Sequence, residues 1–175
     1  MKKNLIALAI AATAVLSAAN ASAAAGQVNF TGKILETGCD VVNTVASPLT
    51  VAMGQIAKSE FTAGNTLSAA QTFKIQLTNC PAAIPSARIS FDGTPLNGDT
   101  SVLQLNADNG VATGVGIQIS DTAGVLPLRQ PSATYTLVSG SDMNDLAFTA
   151  RYKAVGTAVT AGPANATANF SVIYN

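Results

Sequence analysis

The sequence predicts an all-β protein, an antiparallel β-sandwich, and three observations carry that reading. Short runs alternate apolar and polar residues with period two; clusters of Gly, Pro, Asn and Asp separate them; no stretch sustains the 3.6-residue period of a helix. The length of 175 residues suits one domain with a small appendage.

Composition removes several chemistries. The chain has no histidine, so a Ser-His-Asp or Cys-His nucleophile, a histidine-ligated zinc and an imidazole proton shuttle are excluded. Nine basic residues balance nine acidic ones with no basic stripe, which argues against nucleic acid as a partner. Only 10% of the residues are charged, a weakly repelling surface that suits packing against copies of itself.

Taken in order, the elements begin with an address. Lys2 and Lys3 precede an apolar run from Leu5 to Leu16, and Ala21-Ser22-Ala23 fits a small-x-small cleavage site, so residues 1–23 read as a signal peptide. The run is too short and wrongly flanked for a membrane span, and no second such run follows, so no span is expected after cleavage. Val28, Phe30, Gly32 and Ile34 then alternate with Asn29, Thr31 and Lys33, a strand-like run almost at the mature N-terminus. Cys39 and Cys80 are an even pair in an exported chain, which favours a structural disulfide over a reactive thiol. Closing that loop would stabilise the fold by about 4 kcal/mol in the chain-entropy model.

Val51 and Met53 open the next candidate strand, and residues 58–70 have room for a short helical turn. Phe73, Ile75 and Leu77; Ile89 and Phe91; Leu103 and Leu105; and Val115, Ile117 and Ile119 each present one apolar face. Tyr135 and Leu137 follow, then Leu146, Phe148, Ala150 and Tyr152, and a last run of Ala166, Ala168, Phe170, Val172 and Tyr174. Turns are expected at 79–81, 92–98, 108–110, 121–124 and 139–145. The Ala-, Gly- and Thr-rich stretch 154–165 is a connection between strands, not a domain linker.

Three segments together carry a family resemblance: Gln27 to Ile34, the pair Cys39 and Cys80, and Ala164 to Asn175 with Tyr174 penultimate and Gly162 fourteenth from the C-terminus. Gly114 to Ile119 and Phe148 to Tyr152 add to it. In these features the chain resembles pilins of the chaperone-usher pathway, type 1 fimbrial group, across essentially the whole mature sequence. The resemblance implies an incomplete immunoglobulin-like sandwich, completed by a donor strand from a neighbouring subunit. It implies a donor extension over 24–38 carrying Val28, Phe30, Gly32 and Ile34, and a pilin domain over 39–175. Gly162, Phe170, Val172 and Tyr174 would edge the groove and form the C-terminal motif presented to a periplasmic chaperone. The implied partners are that chaperone, an outer-membrane usher, and copies of itself or other pilins. The implied location is a surface fimbria reached through the periplasm, supporting cell adhesion, with no cofactor.

The same residues argue against other functions. Gly114-x-Gly116 lacks the third glycine and following helix of a phosphate cradle. Asp92, Asn97 and Asp99 lack the spaced ligand set of a calcium loop. Tyr152 beside Arg151 alternates with Phe148 and reads as core. A secreted carbohydrate-binding sandwich is opposed by the lack of Trp and the presence of only three Tyr. A paired-acid hydrolase finds no two carboxylates brought together. Within the family, a minor adaptor or a terminator subunit is the alternative to a main structural subunit.

Overall fold

The computed structural model describes residues 26–62, 66–156 and 158–175. The expected signal peptide, 1–23, lies outside the described residues. The chain divides into two units, 1–34 and 35–175.

In the first unit, residues 26–34 form no strand. Val28, Phe30 and Ile34 are 74%, 93% and 96% exposed, so the apolar face read from the sequence meets solvent.

The second unit is a two-sheet antiparallel sandwich. The larger sheet has seven strands: β1 (Asp40–Val41), β2 (Gln71–Thr78), β9 (Asn144–Ala154), β6 (Val115–Asp121), β5 (Asp99–Leu103) and β4 (Pro95–Leu96) in spatial order, with β7 (Gly124–Val125) also on β6. The smaller has three, in the order β10 (Asn169–Tyr174), β3 (Ser86–Asp92) and β8 (Tyr135–Thr136). Antiparallel neighbours alternate their side chains between the two faces, which is why Ile75 and Leu77 of β2 are buried along with Leu146, Phe148, Ala150 and Tyr152 of β9. From β3, Ala87, Ile89 and Phe91 enter the same core.

Aromatic rings join the sheets. Phe91 meets Phe148 edge-on with centroids 5.1 Å apart, Phe73 stacks on Phe148 at 5.7 Å, and Tyr135 lies 5.5 Å from Phe148. Phe148 is buried to 1% exposure, and truncating such a ring costs about 3–5 kcal/mol. Cys39 and Cys80 are joined by a disulfide, tying the start of β1 to the residues after β2.

The architecture of this unit departs from the sequence reading at several places. Val51 and Met53 belong to no strand; Met53 packs on the core, but among the described residues the segment has no ladder partner. The turn expected over 92–98 contains β4, which pairs with β5 through Asn97 and Gly98. Both turn residues have positive φ, 53° and 82°, the conformation that Asn-Gly adopts at low cost in a tight hairpin. On β6 the expected polar face is also covered: Gln118 is 6% exposed, and a side chain at Gly116 would strike Val102, Leu96 and the Leu103 carbonyl. The final run is a strand only from Asn169, although Ala164, Ala166 and Ala168 also pack on the core. The short helical turn is a single 3-10 turn, Lys58–Glu60.

Candidate functional site: the open edge of the C-terminal strand

β10 lies at the margin of its sheet, and among the described residues β3 is the strand it pairs with. Its pattern is strictly alternating: Phe170, Val172 and Tyr174 are half-buried against the core, while Asn169, Ser171 and Ile173 face out. The register with β3 fixes where the backbone groups point. The Asn175 N–H donates to the Ser86 carbonyl at 3.1 Å, so odd-numbered residues address β3. Opposite Val172, Ile89 directs its carbonyl to the Ser132 N–H and its own N–H to Ser132 Oγ, away from β10. Opposite Phe170, Phe91 likewise gives its carbonyl to the Arg129 N–H at 2.7 Å. In an antiparallel pair this leaves the N–H and C=O of Phe170, Val172 and Tyr174 on the open side. An edge with apolar side chains beneath it and a row of free donors and acceptors along it is a template for one more strand.

Tyr174 also closes the end of this edge. Its hydroxyl accepts from the Cys39 N–H at 3.0 Å and donates to the Cys39 carbonyl at 3.3 Å. Gly38 lies under the ring, where a Cβ would approach Tyr174 Cε2 within 2.8 Å. The disulfide thus holds the partner of the penultimate tyrosine in place, a link between Cys39 and Tyr174 that spacing alone did not reveal.

At the other end, a cavity of about 330 Å³ is lined by Ile56, Phe61, Val115, Tyr152, Val159 and Ala164. Lys58 contributes charge to this otherwise neutral lining. Gly162 lines the cavity too, and its Cα lies so close to the Gly110 carbonyl and the Ala112 nitrogen that a side chain would collide with backbone. Ile56 and Phe61 were missed in the sequence because Gly54-Gln55 interrupts the alternation begun by Val51 and Met53.

The hydroxyl of Tyr152 donates to the Ala164 carbonyl at 2.8 Å, and that of Tyr135 to the Ala147 carbonyl at 2.6 Å. Burial, with the nearby Asp121 charge adding to it, pushes the Tyr135 phenol up to about 12; burial raises Tyr152 in the same direction. Asp145, bonded by Lys74 and Gln76 on the outer surface, is held below the usual carboxylate range, the Lys74 hydrogen bond being the main cause. Asp92 is likewise lowered, chiefly by its bond from Arg129. These carboxylates are engaged in surface ion pairs. Among the described residues, no group of three His, Cys, Asp or Glu is placed to hold a metal ion. What the site offers is backbone and apolar surface rather than a reacting group.

Comparison with known proteins follows the same line. A family model described as "Fimbrial protein" matches residues 28–175. Long polar fimbria protein A of Salmonella typhimurium is 35% identical over 176 aligned residues, spanning 99% of this chain and 97% of that protein. The fimbrial subunit type 1 of Salmonella typhimurium is 39% identical, spanning 87% of this chain and 84% of its own length. Among solved structures, the P pilus rod subunit PapA superposes with a TM-score of 0.66 at 27% identity, covering 79% of this chain and all of that one. A subunit from a chaperone-usher pilus rod gives 0.65 at 26% identity, covering 86% and 95%. An all-β chain whose last strand leaves an open apolar edge, matched along most of its length by such subunits, belongs to the fimbrial protein family of chaperone-usher pilins and is a structural subunit of a surface fimbria rather than an enzyme.

Proposed function

We propose that this subunit polymerises by donor-strand exchange, the extension over residues 24–38 of one copy carrying the segment Val28 to Ile34 into the open edge of the next. The observation that carries this reading is β10, whose Phe170, Val172 and Tyr174 have half-buried side chains under a backbone edge that pairs with no strand among the described residues. The exposed Val28, Phe30 and Ile34 supply the complementary apolar face. Burying three such side chains contributes about 5–9 kcal/mol. A small domain's whole stability is about 5–15 kcal/mol, so the added strand is a condition of stable folding. Gly32 lies between Phe30 and Ile34 and admits close approach of the donor backbone.

A chain with so much edge and apolar surface open needs a temporary cover before it reaches its neighbour. In this reading a periplasmic chaperone occupies the edge first, contacting Phe170, Val172, Tyr174 and the segment from Gly162, and an outer-membrane usher is where the subunit's strand replaces it. Residues 1–23 direct export and are removed. Adhesion then belongs to the assembled fimbria.

The test is fibre yield and the resistance of fibres to detergent. Phe30→Asp and Gly32→Leu should each leave an exported, disulfide-bonded chain that assembles poorly. Wild-type yields of detergent-resistant fibres from both variants would contradict donor-strand exchange through this segment.

A further inference from the structure

The open edge is longer than β10. Upstream of Asn169, over residues 163–168, the chain belongs to no strand, yet the odd-numbered positions continue to point one way. The Pro163 carbonyl accepts from the Ala112 N–H at 2.9 Å, and the Asn165 carbonyl accepts from the Asn106 N–H at 2.8 Å. The Thr167 carbonyl faces Gly93, at the end of β3. Alternation then sends the backbone groups of Ala166 and Ala168 to the same side as those of Phe170, Val172 and Tyr174. Their side chains also pack on the core as those three do.

We infer that the loop 106–112 stands in for β3 along residues 163–167 and positions this first half of the edge for the incoming strand. The inference rests on the strand-accepting reading above and adds the residues that set its reach. Besides the two backbone bonds, Asn165 Nδ2 donates to Asp108 Oδ2 at 3.1 Å, and Asn106 Nδ2 donates to Thr167 Oγ1 at 3.4 Å. Gly162 rests on the backbone of Gly110, Val111 and Ala112, so the absence of a side chain there lets loop and edge come together. Tyr152 secures the Ala164 carbonyl from the core side. Asn106, Asp108, Gly162 and Asn165 are therefore positioning residues. They hold an edge segment that has no ladder of its own, so that a strand can pair from Ala166 through Tyr174, a span of roughly 30 Å at ~3.3 Å per residue.

The test is amide hydrogen exchange on the full oxidised chain carrying a bound synthetic peptide of residues 24–38. In the wild type, the peptide should slow exchange at Ala166, Ala168, Phe170, Val172 and Tyr174. In Asp108→Ala and in Gly162→Ala, protection at Ala166 and Ala168 should fall about fivefold or more while that at Val172 and Tyr174 persists. Asp108→Asn, which keeps an acceptor oxygen for Asn165, should behave as the wild type. If Ala166 and Ala168 are unprotected in the wild type while Phe170, Val172 and Tyr174 are protected, the edge ends at β10 and the inference is overturned. Unchanged protection of Ala166 and Ala168 in both disrupting variants overturns it equally, because the loop would then position nothing. If the peptide protects none of the five amides, strand acceptance itself fails, and this inference with it.

Discussion

Three tyrosine hydroxyls each fasten a distant stretch of backbone: Tyr135 to Ala147, Tyr152 to Ala164 and Tyr174 to Cys39. Tyr174→Phe keeps the ring over Gly38 but removes the bond to Cys39, and should lower unfolding free energy by about 1 kcal/mol in urea titration of the chain carrying a second copy of residues 24–37 on a flexible C-terminal linker. An unchanged midpoint would show that the hydroxyl contributes nothing. The buried phenols also predict a pH dependence. Tyr135 has a folded pKa of about 12, above the unfolded value of about 10, so folding favours its neutral form. The stability it contributes is complete below the unfolded pKa and is lost as pH rises toward about 12. Tyr135→Phe should therefore flatten the alkaline loss of stability measured by urea unfolding of the same donor-bearing chain across that window, and an equally steep loss in the variant would contradict it. At this scale the sequence was informative about which residues matter and less so about what they touch. Tyr174 stood out as penultimate and Tyr152 as core, but neither spacing nor alternation shows that a phenol will reach a carbonyl elsewhere in the chain.

At the scale of elements, β2, β3, β9 and β10 are legible because each has one face on the core, and burial imposes period two on the sequence. The segment around Val51 and Met53 carries the same signal without becoming a strand. A strand is defined by its ladder, and among the described residues this one has no partner. Asn97-Gly98 is a strong hairpin signal that was absorbed into a broad turn because β4 is only two residues long. The backbone geometry of β10 gives a sharp prediction. The N–H of Val172 faces the open edge whereas that of Ile173 faces β3. Proline removes an N–H and is tolerated in strands only where that group is unpaired. Ile173→Pro should thus disrupt the pairing of β10 with β3 more than Val172→Pro, read as recovery of oxidised chain, while both prevent fibre growth. Equal recovery of the two variants would mean that the assigned orientation of β10 is wrong.

For the whole molecule, the sandwich is lopsided: a seven-stranded sheet faces a three-stranded one, and the margin of the smaller sheet lies over Phe170, 6.3 Å from Phe91 at the centre of the aromatic core. A deficit in one sheet of an otherwise well-packed domain explains why the fold class could be read from alternation, whereas its incompleteness became visible only through the family resemblance and the strand order. The pattern of a chain records the faces it buries and does not record a strand that another chain will supply. The measurement that tests this most directly compares thermal unfolding and oligomeric state of residues 24–175 with the same chain bearing a second copy of residues 24–37 on a flexible C-terminal linker. Conversion of an unstable or aggregating chain into a stable monomer is the predicted result. A chain that is already a stable monomer, and that gains nothing from the added copy, would show that the sandwich is complete and contradict the account.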